Sequence, residues 1–293
     1  MRTFVPGNGH RIQQRPSHLQ DIGCIPISCF QAGRPETMRY QTMEQLTELR
    51  LSPMRNEYQR QCELPAYQDL SFDDRFAEIV TAQANNSHEA RLKRLIKNAD
   101  LSDPTALLAD IDYDPVRHLK KADIDSLSSC DWVREGHNLI VTGATGVGKT
   151  FILSAFGHEA CMRGMTVRSF RTTRLLTDLA IGRGDGSYDK LLRDLSKPDL
   201  LILDDFGLKE ITVDLSQDLL ELIDDRWRHK KSLGISSQLP VKEWPNVFAD
   251  PTICDSIMDR TVRNAYRINL KGPSRRPSLP FSEILPSEET QTA

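Results

Sequence analysis

Between residues 137 and 270 the chain alternates short apolar runs with longer amphipathic stretches. Five runs, at 138–142, 165–170, 200–204, 232–236 and 266–270, are strand candidates, and helical patterns at 149–163, 172–181, 187–195, 212–230 and 253–264 separate them. Strands alternating with helices of this length predict an α/β domain, a five-stranded parallel sheet covered on both faces. The unbroken run Leu200-Leu201-Ile202-Leu203 suits a strand buried on both sides.

Upstream of Cys130 the signals are helical. Thr42 to Leu49 is a short amphipathic stretch. Ser71 followed by Asp74 resembles a capping box, after which Phe72, Phe76, Ile79 and Val80 fall on one face. Farther on, Leu92, Leu95, Ile96 and Ala99 point inward and leave Arg91, Lys93, Arg94 and Lys97 outside. Asp103-Pro104 and Asp114-Pro115 are two cap-plus-proline helix starts. The predicted organisation is a disordered leader (1–37), a helical domain (38–130), the α/β domain (131–271) and a flexible tail (272–293).

Composition narrows the partners. The 293 residues carry a net charge of −3, so no overall field advertises nucleic acid, and any DNA contact must come from local patches. Three are visible: Arg91, Lys93, Arg94 and Lys97; Arg168, Arg171 and Arg174; and Arg226, Arg228, Lys230 and Lys231. Each reads equally well as a solvated helix face. No apolar run approaches a membrane span, and residues 1–7 lack a secretory h-region. Six cysteines without a C-x-x-C pair suit reduced thiols, so a cytoplasmic location is expected. His10, His18, Cys24 and Cys29 fit no usual zinc spacing.

The chemistry concentrates at Gly143-Ala144-Thr145-Gly146-Val147-Gly148-Lys149-Thr150, which fits the phosphate-binding pattern G-x-x-x-x-G-K-[ST] between a strand and a helix. Successive amides and the positive helix end hold a polyphosphate there. Lys149 is expected to reach the β- and γ-phosphates of ATP, and Thr150 to place its hydroxyl on Mg²⁺. Asp204 and Asp205 end the third strand at the carboxyl rim of the sheet, where ligands bind. Asp204 is expected to hold Mg²⁺, usually through water, and Asp205 to orient or deprotonate the attacking water. Beyond the fourth strand Gln238 is the first choice for a γ-phosphate contact and Ser237 the second; the alternative is a plain turn before Pro240.

These motifs stand in an ordered set. Leu49-Arg50-Leu51-Ser52, Leu70-Ser71-Phe72-Asp73-Asp74-Arg75, Cys130-Asp131-Trp132-Val133, the phosphate loop, Leu201-Ile202-Leu203-Asp204-Asp205-Phe206-Gly207, Ser236-Ser237-Gln238-Leu239-Pro240 and Ile257-Met258-Asp259-Arg260 follow one another, ending in Lys271-Gly272-Pro273-Ser274. From about Met38 to Arg276 the chain thereby resembles IstB-like proteins, AAA+ ATPase helpers of insertion-sequence transposition that are similar to DnaC-like helicase loaders.

The resemblance implies a homo-oligomer on duplex DNA that presents its target to a partner transposase (IstA-like) and hydrolyses ATP between subunits. Gln238 falls at the family's polar sensor position. Arg260 matches the arginine finger that reaches the γ-phosphate of a neighbouring subunit, the alternative being an ion pair with Asp259 or Asp255. Trp132 and Val133 would line the adenine pocket or the core. Two departures matter. Asp205 stands where most AAA+ ATPases carry Glu, which implies slow intrinsic turnover. Only residues 272–293 follow the last strand, so the helical lid is largely absent, and Arg275 or Arg276 is a weak replacement for its sensor arginine. A helicase loader and a small-molecule phosphotransferase are the competing readings. The second lacks an acceptor pocket and an arginine-rich lid.

Overall fold

A computed structural model describes residues 35–276. The chain divides into two compact units, one ending at Gln83 and one beginning at Ala84. The division falls inside helix α3 (Phe72–Ala99), not at the expected 130–131 boundary. The reason is packing: Ala99, Leu101, Ile111, Leu119, Ile124, Leu127 and Trp132 join the core that holds the nucleotide-binding strands, so 99–134 has no separate core. The zinc-like set at 10–29 and nearly all of the leader lie outside the described residues, as does the tail beyond Arg276.

The first unit contains α1 (Pro35–Glu48), α2 (Ser52–Glu63) and the opening of α3. Ser71 caps α3, its hydroxyl accepting from the Asp74 amide at 3.2 Å and donating to Asp74 Oδ2 at 2.7 Å. Asp73 and Asp74 in that first turn suit the positive helix end. The apolar face expected to be covered is open: Phe72, Phe76 and Val80 are 75%, 50% and 44% exposed.

The second unit begins with the rest of α3, whose Leu92, Leu95 and Ile96 pack on the core. Asp103-Pro104 does not start a helix. Asp103 Oδ1 instead accepts from the Thr105 amide at 3.1 Å and hydroxyl at 2.8 Å, closing a turn. Asp114 caps only a 3-10 turn over Pro115–Arg117, which ends where His118 turns left-handed at φ 54°. Then follow α4 (Lys121–Leu127) and α5 (Asp131–Arg134).

The α/β core runs β1 (Asn138–Gly143), α6 (Lys149–Met162), β2 (Val167–Arg171), α7 (Thr172–Asp185), α8 (Tyr188–Ser196), β3 (Leu200–Phe206), α9 (Val213–Arg228), β4 (Ser232–Ser237), α10 (Pro251–Val262) and β5 (Ala265–Leu270). All strands are parallel, in the order β2-β3-β4-β1-β5. Alternation along the strands splits the core. Leu139, Val141, Leu200 and Ile202 face α6 and the 99–133 segment, whereas Ile140, Leu201, Leu203 and Ile235 face the cluster containing Leu175, Leu219, Leu222 and Ile257. Strand order reverses between β4 and β1, and the crevice at the carboxyl ends there is where ligands bind in open α/β sheets.

Candidate nucleotide site

The phosphate loop leaves β1 at Gly143 and enters α6 at Lys149. Two glycines make that path possible. A Cβ on Gly143 would lie 2.5 Å from the Leu270 carbonyl oxygen, and Gly148 turns left-handed at φ +97°. Thr145 and Gly146 line a cavity of about 520 Å³ with Lys149 and Thr150, while Val147 is buried beneath it. Lys149 is 5% exposed, and its Nζ donates to the Ala144 carbonyl at 2.9 Å. Burial lowers its pKa, while Asp205 and Asp204 oppose the shift.

Asp204, Asp205 and Gln238 line the same cavity. Thr150 Oγ1 lies 3.1 and 3.0 Å from the two Asp204 carboxylate oxygens. Thr172 Oγ1 fixes the backbone of Asp204 by donating to its carbonyl at 2.8 Å. Gln238 Oε1 accepts from Thr145 Oγ1 at 2.7 Å, bringing the end of β4 onto the phosphate loop. Ser237, the second choice, is fully buried and donates to the Phe206 carbonyl at 2.8 Å. The hydroxyl and carboxylate of Thr150 and Asp204 are hard oxygen donors, which suit Mg²⁺ when phosphates complete the shell. Among the described residues no three His, Cys, Asp or Glu side chains group to hold a metal by themselves.

Sequence reasoning named Arg275 and Arg276, which line the cavity, but missed Arg117 and Asp112 in the ring behind the loop. Arg117, 5% exposed, donates through Nη2 to the Val147 carbonyl at 3.0 Å and through Nη1 to the Asp112 carbonyl. Arg275 ion-pairs with Asp112, and its amide donates to the Gly146 carbonyl at 2.9 Å. The Lys271 amide donates to the Arg117 carbonyl at 3.1 Å. Residues 271–276 therefore run along the loop, with Arg275 and Arg276 on the cavity wall. Only charge and the Asp-x-Asp-Pro turn signalled this network in the sequence.

Arg260 is elsewhere. It sits near the start of β1, where Asn138 Nδ2 donates to the Arg260 and Thr261 carbonyls at 3.2 and 2.9 Å, and it does not line the cavity. Its guanidinium pairs with Asp224 on α9, not with Asp255 or Asp259. Trp132 and Val133 are core residues. Trp132 Nε1 donates to the Leu127 carbonyl at 3.2 Å, and its ring meets Phe156 edge-on at 6.2 Å.

Of the basic patches, Arg91, Arg94 and Lys97 are exposed on α3, and Arg171 and Arg174 are exposed at the carboxyl end of β2 and the start of α7. Arg168 is half-buried and donates to the Asn98 carbonyl at 3.1 Å. The third patch is largely undone. Arg226 is fully buried and donates to the Leu195 and Ser232 carbonyls at 2.8 and 2.6 Å, and Lys231 is paired with Asp199 at 2.6 Å. No helix among the described residues is long and apolar enough to cross a membrane.

Residues 44–279 match the family of IstB-like ATP-binding proteins. The chain is 43% identical over 203 residues to the ATP-binding protein of insertion sequence IS1162 from Pseudomonas fluorescens, covering 69% of this chain and 87% of that one. It is 34% identical over 239 residues to an insertion-sequence ATP-binding protein of Sinorhizobium fredii, covering 82% and 97%. Among solved structures DnaI superposes with a TM-score of 0.50 at 21% identity, over 57% of this chain and 92% of that one, a likeness of fold. With a phosphate loop, a buried lysine and an aspartate pair on one cavity of a parallel α/β core, the chain belongs to the IstB-like ATP-binding protein family and is an ATPase.

Proposed function

We propose that the chain is an ATP-dependent transposition helper that binds duplex DNA, oligomerises on it, hydrolyses ATP between subunits and recruits or activates a partner transposase. The observation that carries this reading is the separation of Arg260 from the cavity that holds Lys149, Asp204, Asp205 and Gln238. Paired with Asp224 and off this cavity, Arg260 is out of place for its own nucleotide, and we assign it to a neighbour's. The relatives' names tie such proteins to insertion sequences.

Within one subunit the loop amides Gly143 to Thr150 and the Lys149 ammonium bind the phosphates. Thr150 and Asp204 would hold Mg²⁺, which would neutralise phosphate charge. Asp205 orients the attacking water, and Gln238, held against Thr145, faces the γ-phosphate side. Arg260 of the next subunit stabilises charge developing in transfer, an effect typically worth about 10³–10⁵ in rate. The exposed sets Arg91, Arg94 and Lys97, and Arg171 and Arg174, take DNA phosphates.

The test is ATPase activity measured alone, with duplex DNA, and with a replicative helicase, alongside light scattering. Stimulation and particle growth with duplex DNA support the proposal. Stimulation by the helicase alone would make the chain a loader.

A further inference from the structure

Asp204 and Asp205 are consecutive, and on a regular strand they would face opposite sides of the sheet. Both nonetheless line the nucleotide cavity. The cause is a bulge. Leu203 pairs with Ile235 and Phe206 with Ser237, so Asp204 and Asp205 together oppose the single residue Ser236. Asp205 takes the left-handed conformation, φ 57°, that this extra residue requires.

Ser236 is fully buried and does not line the cavity. Its hydroxyl is shared between the two aspartates, donating to Asp204 Oδ1 and accepting from the Asp205 amide at 2.9 Å. One of these bonds fixes the rotation of the Asp204 carboxylate, whose two oxygens both stay within reach of Thr150 Oγ1. The other satisfies the Asp205 amide where the β3–β4 ladder is interrupted.

We propose that Ser236 is a positioning residue for hydrolysis: its hydroxyl holds the bulge through which one strand end presents both carboxylates to one nucleotide. The proposal rests on Asp204 and Thr150 as the Mg²⁺ pair. Ser236 acts through Asp204 and Asp205, and groups that orient metal ligands in this way typically change metal affinity or activity by about 10–100-fold when removed.

The experiment compares Ser236→Ala, Ser236→Cys and Ser236→Thr with the parent and with Asp204→Asn. For each, the Mg²⁺ concentration for half-maximal hydrolysis and kcat are measured, together with binding of a fluorescent ATP analogue in EDTA and the melting temperature. Ser236→Ala and Ser236→Cys should raise the Mg²⁺ midpoint and lower kcat by about 10-fold or more, with metal-free binding unchanged. Ser236→Thr, which keeps the hydroxyl, should recover most of the loss. A Mg²⁺ midpoint and kcat within twofold of the parent in Ser236→Ala would overturn the proposal. So would loss of metal-free binding in parallel with hydrolysis, or equal damage from Ser236→Thr, because either assigns Ser236 to the scaffold. If Asp204→Asn leaves the Mg²⁺ midpoint unmoved, the reading of the metal pair itself has failed.

Discussion

Arg260 on α10 is ion-paired with Asp224 on α9, and its Nη1 donates to the Ser256 carbonyl at 2.8 Å. The guanidinium is thus held within its own subunit, between α9 and α10. Arg260→Ala should leave ATP binding by the isolated chain intact and lower hydrolysis in the assembly by about 10³-fold. Mixing it with Lys149→Ala is the decisive measurement. Each variant alone should be inactive, but interfaces that join an intact pocket to an intact guanidinium should recover activity.

Lys149 gives a pH signature. Its ammonium holds phosphate only when charged, and burial has lowered its pKa. ATP affinity should therefore fall as pH rises through that lowered value, before an ordinary lysine at about 10.4 loses its proton. Stability of the nucleotide-free protein has the opposite sign. Between the folded and unfolded pKa values the unfolded chain binds the extra proton, so rising pH favours the native state there. Titrating a fluorescent ATP analogue and melting the protein across the alkaline range separates the two trends.

Asp205 combines an unusual backbone with a short side chain. Asparagine tolerates the left-handed region as aspartate does. Asp205→Asn should keep ATP binding while hydrolysis drops by about 10²-fold or more. Asp205→Glu reaches one methylene farther toward the water and should raise a slow turnover, at a stability cost of about 1 kcal/mol for the longer side chain in that conformation. Single-turnover kinetics and chemical denaturation check the pair; brisk turnover in the parent protein alone would contradict it.

DNA affinity should depend on the exposed α3 set. Replacing Arg91, Arg94 and Lys97 together by alanine should reduce the slope of log K against log salt by about 0.9 for each DNA phosphate that is no longer neutralised. Fluorescence anisotropy over a salt series on duplex DNA measures it. An unchanged slope would remove the α3 set from the DNA interface.

Arg226→Met should leave that DNA slope alone and destabilise the fold. It strands the Leu195 and Ser232 carbonyls, buried acceptors that the guanidinium now satisfies, at a cost of about 3 kcal/mol. Urea denaturation reads the loss directly.

Local signals were the legible ones. The phosphate loop and the strands announce themselves within a dozen residues, and each expected strand overlaps one in the sheet. Asp204, Asp205 and Gln238 were legible because strand ends on one rim converge on the loop. Arg117 was not, since its partner Val147 is 30 residues away and no periodicity links them. Arg226 was misread as surface although the spacing already held the answer: Leu219, Leu222, Ile223 and Arg226 form one helical stripe, and all four are buried. Phe72, Phe76 and Val80 show the converse, a proper apolar stripe that stays in water.

The end of β4 commits three successive side chains to three different places: Ser236 to the aspartates, Ser237 to the Phe206 carbonyl and Gln238 to Thr145. Sliding this strand by one residue exchanges its faces and severs all three links together. A sheet assembled out of step should therefore lose hydrolysis, which makes activity a reporter of strand alignment.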